Sequence, residues 1–108
     1  MGQQSRTDAA VATVTRSDTS LGAWLGAHLG VAEGVLAVYY CYEPASASRP
    51  AAHRVWSILK DPRSTELREA LRAREAAAAA KFPELRFEFD VTDRADPPAL
   101  GAKLVYSA

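Results

Sequence analysis

The chain has 108 residues, a length that suits one small domain and excludes two independent hydrophobic cores. Alanine accounts for 22 of the apolar residues, which leaves roughly 30 larger side chains for a single two-layer core. With 13 basic and 13 acidic residues the formal net charge is +0, so no strong field of one sign attracts nucleic acid, an anionic membrane or an acidic substrate.

Cysteine content and hydropathy indicate the cellular compartment of the protein. The one cysteine, Cys41, excludes an intrachain disulfide and a cysteine-based zinc site, and its apolar surroundings favour a buried small hydrophobic side chain over a reactive thiol. No stretch approaches the ~20 apolar residues of a membrane span, and the N-terminus lacks the apolar segment of a secretory signal. We therefore expect a cytoplasmic protein.

The N-terminal part divides into an extension and the start of a domain. We interpret residues 1–16 as a tail or loosely docked extension, in which residues 9–15 could add a strand, and residues 17–108 as a single domain. Residues 17–20 are N-cap types, and the apolar spacing that follows predicts a helix ending at Gly30 as its C′ residue. Gly22 and Gly26 share a face of this helix that could admit another backbone.

Two strands and a loop are predicted next. Residues 35–42 form a continuous β-prone run, typical of a central strand covered on both faces. Residues 43–50 are small, polar and bounded by proline, which indicates a loop, and residues 53–59 form a second strand. Asp61 followed by Pro62 then offers an N-cap with proline at the first helical position.

The C-terminal half contains the clearest helix, over residues 64–81. It should end at Phe82 because the residue before Pro83 is biased away from the helical region. Residues 85–91 alternate apolar and charged side chains, as in a half-buried strand with an acidic face, and residues 103–106 form a last short strand. The segment 93–101 is a loop or one short turn. The predicted fold class is α+β, a small mixed sheet of three or four strands with two helices packed on one face.

Several short segments between residues 21 and 106 occur in a recognisable order. They are the first strand at Val38 to Cys41, a loop end at Arg49-Pro50, the second strand end at Ile58-Leu59 with Asp61-Pro62, the third strand at Phe87 to Val91, and a tail at Arg94 to Pro98 and Leu104 to Tyr106. In their order and residue types these segments resemble a known family, the minimal nucleotidyltransferase (MNT) domain of the DNA polymerase β-like superfamily. The resemblance implies a nucleotidyltransferase-like fold and, since such proteins serve as antitoxins beside HEPN-domain ribonuclease toxins, a HEPN-type partner.

The catalytic motifs of the family are missing. Tyr42 and Glu43 stand where the family has Gly-Ser. The family's Asp-x-Asp pair falls on His53 and Val55, or in the adjacent register on Arg54 and Trp56, so neither alignment supplies a carboxylate. Only the third acid has a counterpart, Glu88.

The missing groups bear directly on the chemistry. Nucleotidyl transfer needs two Mg²⁺ ions, which prefer carboxylate oxygens, and a glycine turn that lets backbone N–H groups approach phosphate. Tyr42 would fill the phosphate space and become part of the core, and Glu43 would place a negative charge there. The sequence therefore predicts no catalytic residues, no cofactor and no metal site.

Other chemistry-bearing side chains have an ordinary structural interpretation. We interpret His28 and His53 as structural or solvent-facing rather than catalytic. Glu88 and Asp90 could bind a cation, although a solvated strand face is the favoured interpretation. The tyrosines of the first strand with Trp56 could form a base-stacking platform, but core and interface packing is favoured because no basic residues interleave with them.

Three functions follow as hypotheses. The leading one is a catalytically inactive nucleotidyltransferase-like domain that acts as an antitoxin by binding a HEPN-type ribonuclease toxin. The second is a divergent nucleotidyltransferase that transfers AMP to a protein partner, with ligands supplied by a partner chain or by Glu43, Glu88 and Asp90. The third is a self-associating structural module. None of them involves direct contact with nucleic acid or a membrane.

Overall fold

The computed structural model describes residues 19–92 and 101–108. In chain order its elements are α1 (Thr19–Gly30), β1 (Val35–Glu43), β2 (Ala52–Leu59), α2 (Thr65–Lys81), β3 (Phe87–Thr92) and β4 (Lys103–Ser107). The predicted order of elements and the α+β class are confirmed. The predictions made for residues 1–18, including a strand at 9–15, and for the loop at 93–100 lie outside the described residues.

The four strands form one mixed sheet in the order β3-β2-β1-β4. β1 is antiparallel to both of its neighbours, whereas β2 and β3 are parallel and are joined through α2. A parallel pair needs a crossover of this kind, because its strands run in the same direction. β1 is a central strand, as its continuous apolar run predicts.

The main core lies between the sheet and both helices. Its fully buried side chains come from every layer, with Leu25 and Leu29 on α1, Val38 on β1, Val55 on β2 and Leu71 on α2. Side chains alternate between the faces of a strand, so Val38 and Val55 point toward the helices while the residues beside them point away. The packing of both helices on one face is confirmed.

A second, smaller cluster lies on the face away from the helices. Tyr39, Trp56 and Ile58 are buried there, with Cys41 and Ala102 packed against them. Tyr39 and Tyr40 therefore serve different faces of the sheet, which confirms core packing over a base-stacking platform. The expectation of a buried Cys41 is wrong, because its side chain is half-buried at the margin of this cluster.

Helix α1 approaches β4 closely through its glycines. A Cβ placed on Gly26 would lie 2.7 Å from the carbonyl carbon of Val105, nearer still to its oxygen, and one on Gly30 would meet the ring of Tyr106. The predicted backbone approach is confirmed. Gly30 as a left-handed C′ residue is wrong, since it is the last helical residue and the positive φ belongs to Gly34, at 84°.

Helix α2 is capped by Ser64 and not by Asp61. The Ser64 hydroxyl accepts a hydrogen bond from the backbone N–H of Leu67 at 3.2 Å, whereas Asp61 accepts from the N–H of Arg63, ahead of the helix. The predicted Asp61 cap is therefore wrong, and the predicted end at Phe82 is confirmed. β3 begins at Phe87, two residues later than predicted, because the N–H of Leu85 bonds to the carbonyl of Phe82 in a turn.

Candidate functional site

The predicted site residues fall on both faces of the sheet. Tyr42 pairs across the strands with His53, and His53 with Phe87, on the face that the helices cover. Val55 lies on the same face and is 1% exposed. Glu43 and Glu88 lie on the other face, so the substitutes for the family's motifs do not converge on one point.

The helix-facing group centres on a buried imidazole. His53 is 2% exposed, and a hydrogen bond of 2.8 Å joins its Nδ1 to the hydroxyl of Tyr40. Its ring lies 5.0 Å from that of Tyr42 and 5.7 Å from that of Phe87. Burial lowers the pKa of His53 below its ordinary value of 6.5 because the imidazolium loses its hydration. The neutral imidazole is thus enclosed by aromatic rings, which is a typical environment of a structural histidine.

Tyr42 partly fills the space predicted for it. Its side chain packs against the main core and the ring of His53, but it remains half-buried. The expectation that Tyr42 has become part of the core is therefore met only in part.

The other face carries a charged cluster, which we call the Arg54 cluster. It comprises Glu43 of β1, Arg54 of β2 and Glu88 of β3, together with Arg49 and Arg86. The guanidinium of Arg54 lies 3.4 Å from a carboxylate oxygen of Glu43 and 3.5 Å from one of Glu88. A cation thus lies between the two acids, one on each neighbouring strand.

The two outer arginines complete the Arg54 cluster. Arg49 donates from Nη2 to both carboxylate oxygens of Glu88, at 3.1 and 3.3 Å, and lies 3.7 Å from Glu43. Arg86 donates to the same carboxylate at 3.4 Å. Three guanidinium groups surround Glu88, whose side chain is only 23% exposed. Multidentate pairing of this kind fixes a carboxylate in place.

The strand register relates this cluster to the two alignments that the sequence leaves open. Glu88 lies directly beside Arg54, and Asp90 beside Trp56, whereas His53 and Val55 point to the opposite face. Arg54 and Trp56 are therefore the positions that share a face with the third acid. Trp56 is buried, and the Arg54 guanidinium carbon lies 4.9 Å from the centre of its ring, in cation–π geometry.

The cluster has no free set of metal ligands in the described part of the chain. Among those residues no three histidine, cysteine, aspartate or glutamate side chains come together as metal ligands. Glu43 and Glu88 could each offer oxygens, but arginines contact both. A guanidinium cannot give up its proton in a protein, so Arg54 can neither bind a metal nor act as a base. The arrangement forms an ordered charged surface on the outer face of the sheet.

Two further predictions concern single side chains. His28 stacks on Trp24 at 4.6 Å and its Nε2 lies 2.9 Å from the carbonyl of Arg74, so its predicted structural role is confirmed. The solvated-face interpretation is correct for exposed Asp90 and wrong for Glu88. The sequence analysis missed Arg86 as a partner of Glu88, although the two lie two residues apart in the run predicted as a strand, where side chains alternate between faces.

Comparison with known proteins adds no relative. No protein-family model, curated protein or solved structure matches the chain. Neither of the helices in the described ranges is long and apolar enough to cross a bilayer.

Proposed function

We propose that this protein is a catalytically inactive nucleotidyltransferase-like domain that acts by binding another protein. The observation that carries the proposal is the placement of Arg54 between Glu43 and Glu88. In nucleotidyl transfer a divalent cation must lie among carboxylates at such a point. Here the cation is part of the chain, so the acids are neutralised without a metal ion.

The partner in this proposal is a HEPN-type ribonuclease toxin, and the protein is its cytoplasmic antitoxin. The sequence resemblance to antitoxin domains supports this choice.

The first experiment tests the partner. The protein is co-expressed with the product of the neighbouring gene, where that gene encodes an all-α protein with an Arg-x₄–₆-His motif. We expect a complex that survives gel filtration, and rescue of the growth arrest that the neighbour causes alone. Independent migration of the two proteins, or unrelieved toxicity, would contradict the antitoxin role.

The second experiment tests inactivity. We expect no transfer of labelled AMP from ATP to the protein itself or to its co-expressed neighbour. Transfer that is abolished by Glu88→Ala would establish the alternative, a divergent nucleotidyltransferase.

A gain-of-function variant tests the role given to Arg54. Arg54→Asp replaces the cation by a third carboxylate, so calorimetry with Mn²⁺ should detect binding to the variant and none to the parent protein. Arg63→Asp is the matched control, because it makes the same charge change at an exposed position outside the Arg54 cluster. Equal Mn²⁺ binding by parent and variant would show that Arg54 does not take the place of a metal.

A further inference from the structure

A groove between α2 and β3 combines charges of both signs. It has a volume of about 290 Å³, which is at the small end for a ligand pocket. Arg68, Arg72 and Glu75 of α2 and Asp90 of β3 are the charged residues among those that line it. Two basic and two acidic groups therefore border one small space.

These four charged groups make no direct ion pair with one another. In the described part of the chain all direct ion pairs belong to the Arg54 cluster. Glu75 is half-buried, and burial raises its pKa to about 7 against the attraction of Arg72, while Asp90 adds a smaller shift of the same sign as burial. A carboxyl group in this state is stabilised by a cation that reaches the groove.

The positions on α2 set the order of the charges along the groove. Arg68, Arg72 and Glu75 are spaced i, i+4 and i+7, which places them on one side of the helix. At the rise of an α-helix, Glu75 lies about 4.5 Å beyond Arg72 and about 10 Å beyond Arg68 along the axis. A ligand that contacts both ends must therefore carry a cationic and an anionic group several ångströms apart.

The apolar residues of the groove fit the middle of such a ligand. Phe89 and Val91 are half-buried and lie on either side of Asp90 in the sequence of β3. A short methylene chain between the two charges of a ligand would cover part of their surface. A ligand with one charge meets the like-charged pair of the groove as well as the opposite one, so it is bound less favourably.

We propose that this groove binds a small zwitterionic amino acid, with its ammonium group at Glu75 and Asp90 and its carboxylate at Arg68 and Arg72. Guanidinium groups recognise a carboxylate through paired hydrogen bonds, and the two acids supply the opposite charge for the ammonium group. The spacing favours an amino acid whose two charges are separated by about three methylene groups over an α-amino acid. The inference does not depend on the proposed protein-binding function.

The test uses 4-aminobutyrate as the probe and follows the amide chemical shifts of the full chain. We expect saturable binding with a Kd of about 1–10 mM, because the charges are partly exposed, and shifts at residues 68–75 of α2 and 89–91 of β3. Butyrate and butylammonium each carry one of the two charges and should bind at least about fivefold more weakly. No saturable binding of 4-aminobutyrate, shifts confined to other elements, or equal binding of either analogue would overturn the inference.

Neutral variants locate the two ends of the ligand. Glu75→Gln and Arg72→Gln should each weaken binding of 4-aminobutyrate about fivefold or more, because each removes one of the charges that the ligand contacts. Glu69→Gln and Arg63→Gln remove the same charges at exposed positions outside the groove and should change the affinity by less than about twofold. Equal effects of the groove variants and the control variants would overturn the inference.

The pH dependence of binding gives a readout that a merely structural role would not change. Glu75 must be ionised to pair with the ammonium group, whereas the two charges of 4-aminobutyrate stay the same between pH 6 and pH 8. Binding should therefore be about five- to tenfold tighter at pH 8 than at pH 6, and Glu75→Gln should abolish this difference. Binding by the parent protein that is independent of pH would overturn the contact with Glu75, and with it the inference.

Discussion

At the scale of single residues, Arg54 determines the charge arrangement on the face of the sheet away from the helices. Its guanidinium contacts acids on both neighbouring strands while its side chain stays 28% exposed. A partly exposed pair contributes little net stability because water and salt screen it. Removing one member is different, since Glu43 and Glu88 would then lose the charge between them. The Arg54 cluster therefore fixes the positions of the charged side chains on this face more than it stabilises the fold.

Glycine at position 26 is the residue whose replacement we expect to be most harmful. Gly26→Ala should destabilise the protein by about 1–3 kcal/mol, because the new methyl group meets the Val105 carbonyl, a backbone atom that cannot rotate away. Thermal denaturation measures the effect. Gly22→Ala is the control: its nearest neighbour is the Tyr40 ring at 3.1 Å, and helix propensity favours alanine by about 1 kcal/mol, so we expect a smaller change. Equal melting temperatures of the two variants would contradict the close approach of the Val105 backbone to Gly26.

Ser57 gives the opposite expectation. It is 0% exposed, and its hydroxyl has no hydrogen-bond partner among the residues that the structure describes. Ser57→Ala removes a desolvated polar group, so it should leave the free energy of unfolding unchanged or raise it by about 1 kcal/mol. Urea denaturation checks this, with exposed Ser48→Ala as a neutral control. A loss of more than about 1 kcal/mol would mean that the hydroxyl is satisfied in solution.

At the scale of elements, α2 shows how a cap is chosen. Asp61 and Ser64 are both N-cap types three residues apart, and only Ser64 accepts a hydrogen bond from the first turn. Its backbone is extended, with φ −68° and ψ 116°, as a residue just outside a helix requires. The chain from Asp61 to Ser64 first makes a turn, since the Ser64 N–H bonds to the Asp61 carbonyl.

Substitution at the two candidate caps should separate them. Ser64→Ala should lower the free energy of unfolding by about 1 kcal/mol, because the N–H of Leu67 loses its partner. Asp61→Ala, at an exposed turn, should lower the free energy of unfolding by clearly less. Chemical denaturation of both variants measures the two losses in free energy of unfolding. A larger loss for Asp61→Ala would show that Asp61, and not Ser64, is the N-cap of α2.

The elements could be predicted because their signals are local. Apolar residues that recur about every 3.6 positions indicate a helix, and apolar residues at every second position indicate a strand. Either pattern is visible within a short stretch of sequence, and these patterns located both helices and all of the strands in the described ranges. The site could not be predicted in the same way. Which acid lies beside Arg54 depends on the register of the parallel β2–β3 pair, which the α2 crossover sets over a long separation in sequence. The contact of Arg49 with Glu88 spans 39 residues and leaves no local pattern.

At the scale of the whole molecule, two titratable groups with shifted pKa values, half-buried Glu75 and buried His53, give opposite dependences of stability on pH. Glu75 has a folded pKa of about 7 against 4.5 unfolded, so the stability it contributes is full below pH 4.5 and is lost as pH rises through 7. His53 has a folded pKa below its unfolded 6.5, so its contribution is full above pH 6.5 and is lost as pH falls through the folded value.

We therefore expect the protein to be less stable at pH 8 than at pH 6.5, because folded Glu75 loses its proton in that interval, whereas unfolded His53 contributes a smaller change of the opposite sign. Urea denaturation across the range should show that Glu75→Gln removes this loss and leaves only a decline on the acid side from His53. Glu69→Gln, exposed on the same helix, is the control and should keep the parent profile. An unchanged profile in Glu75→Gln would show that its carboxyl is solvated.

The contact between Gly26 and Val105 has a consequence for synthesis on the ribosome. α1 emerges early, yet the strand against which its glycines pack is the last element described, Lys103–Ser107. Until β4 has emerged, α1 cannot dock on it and the outer edge of β1 lacks this partner. Contacts between distant parts of a chain form late, so we expect the final closure of the domain to wait for the synthesis of β4, with the β1 edge exposed to other chains until then.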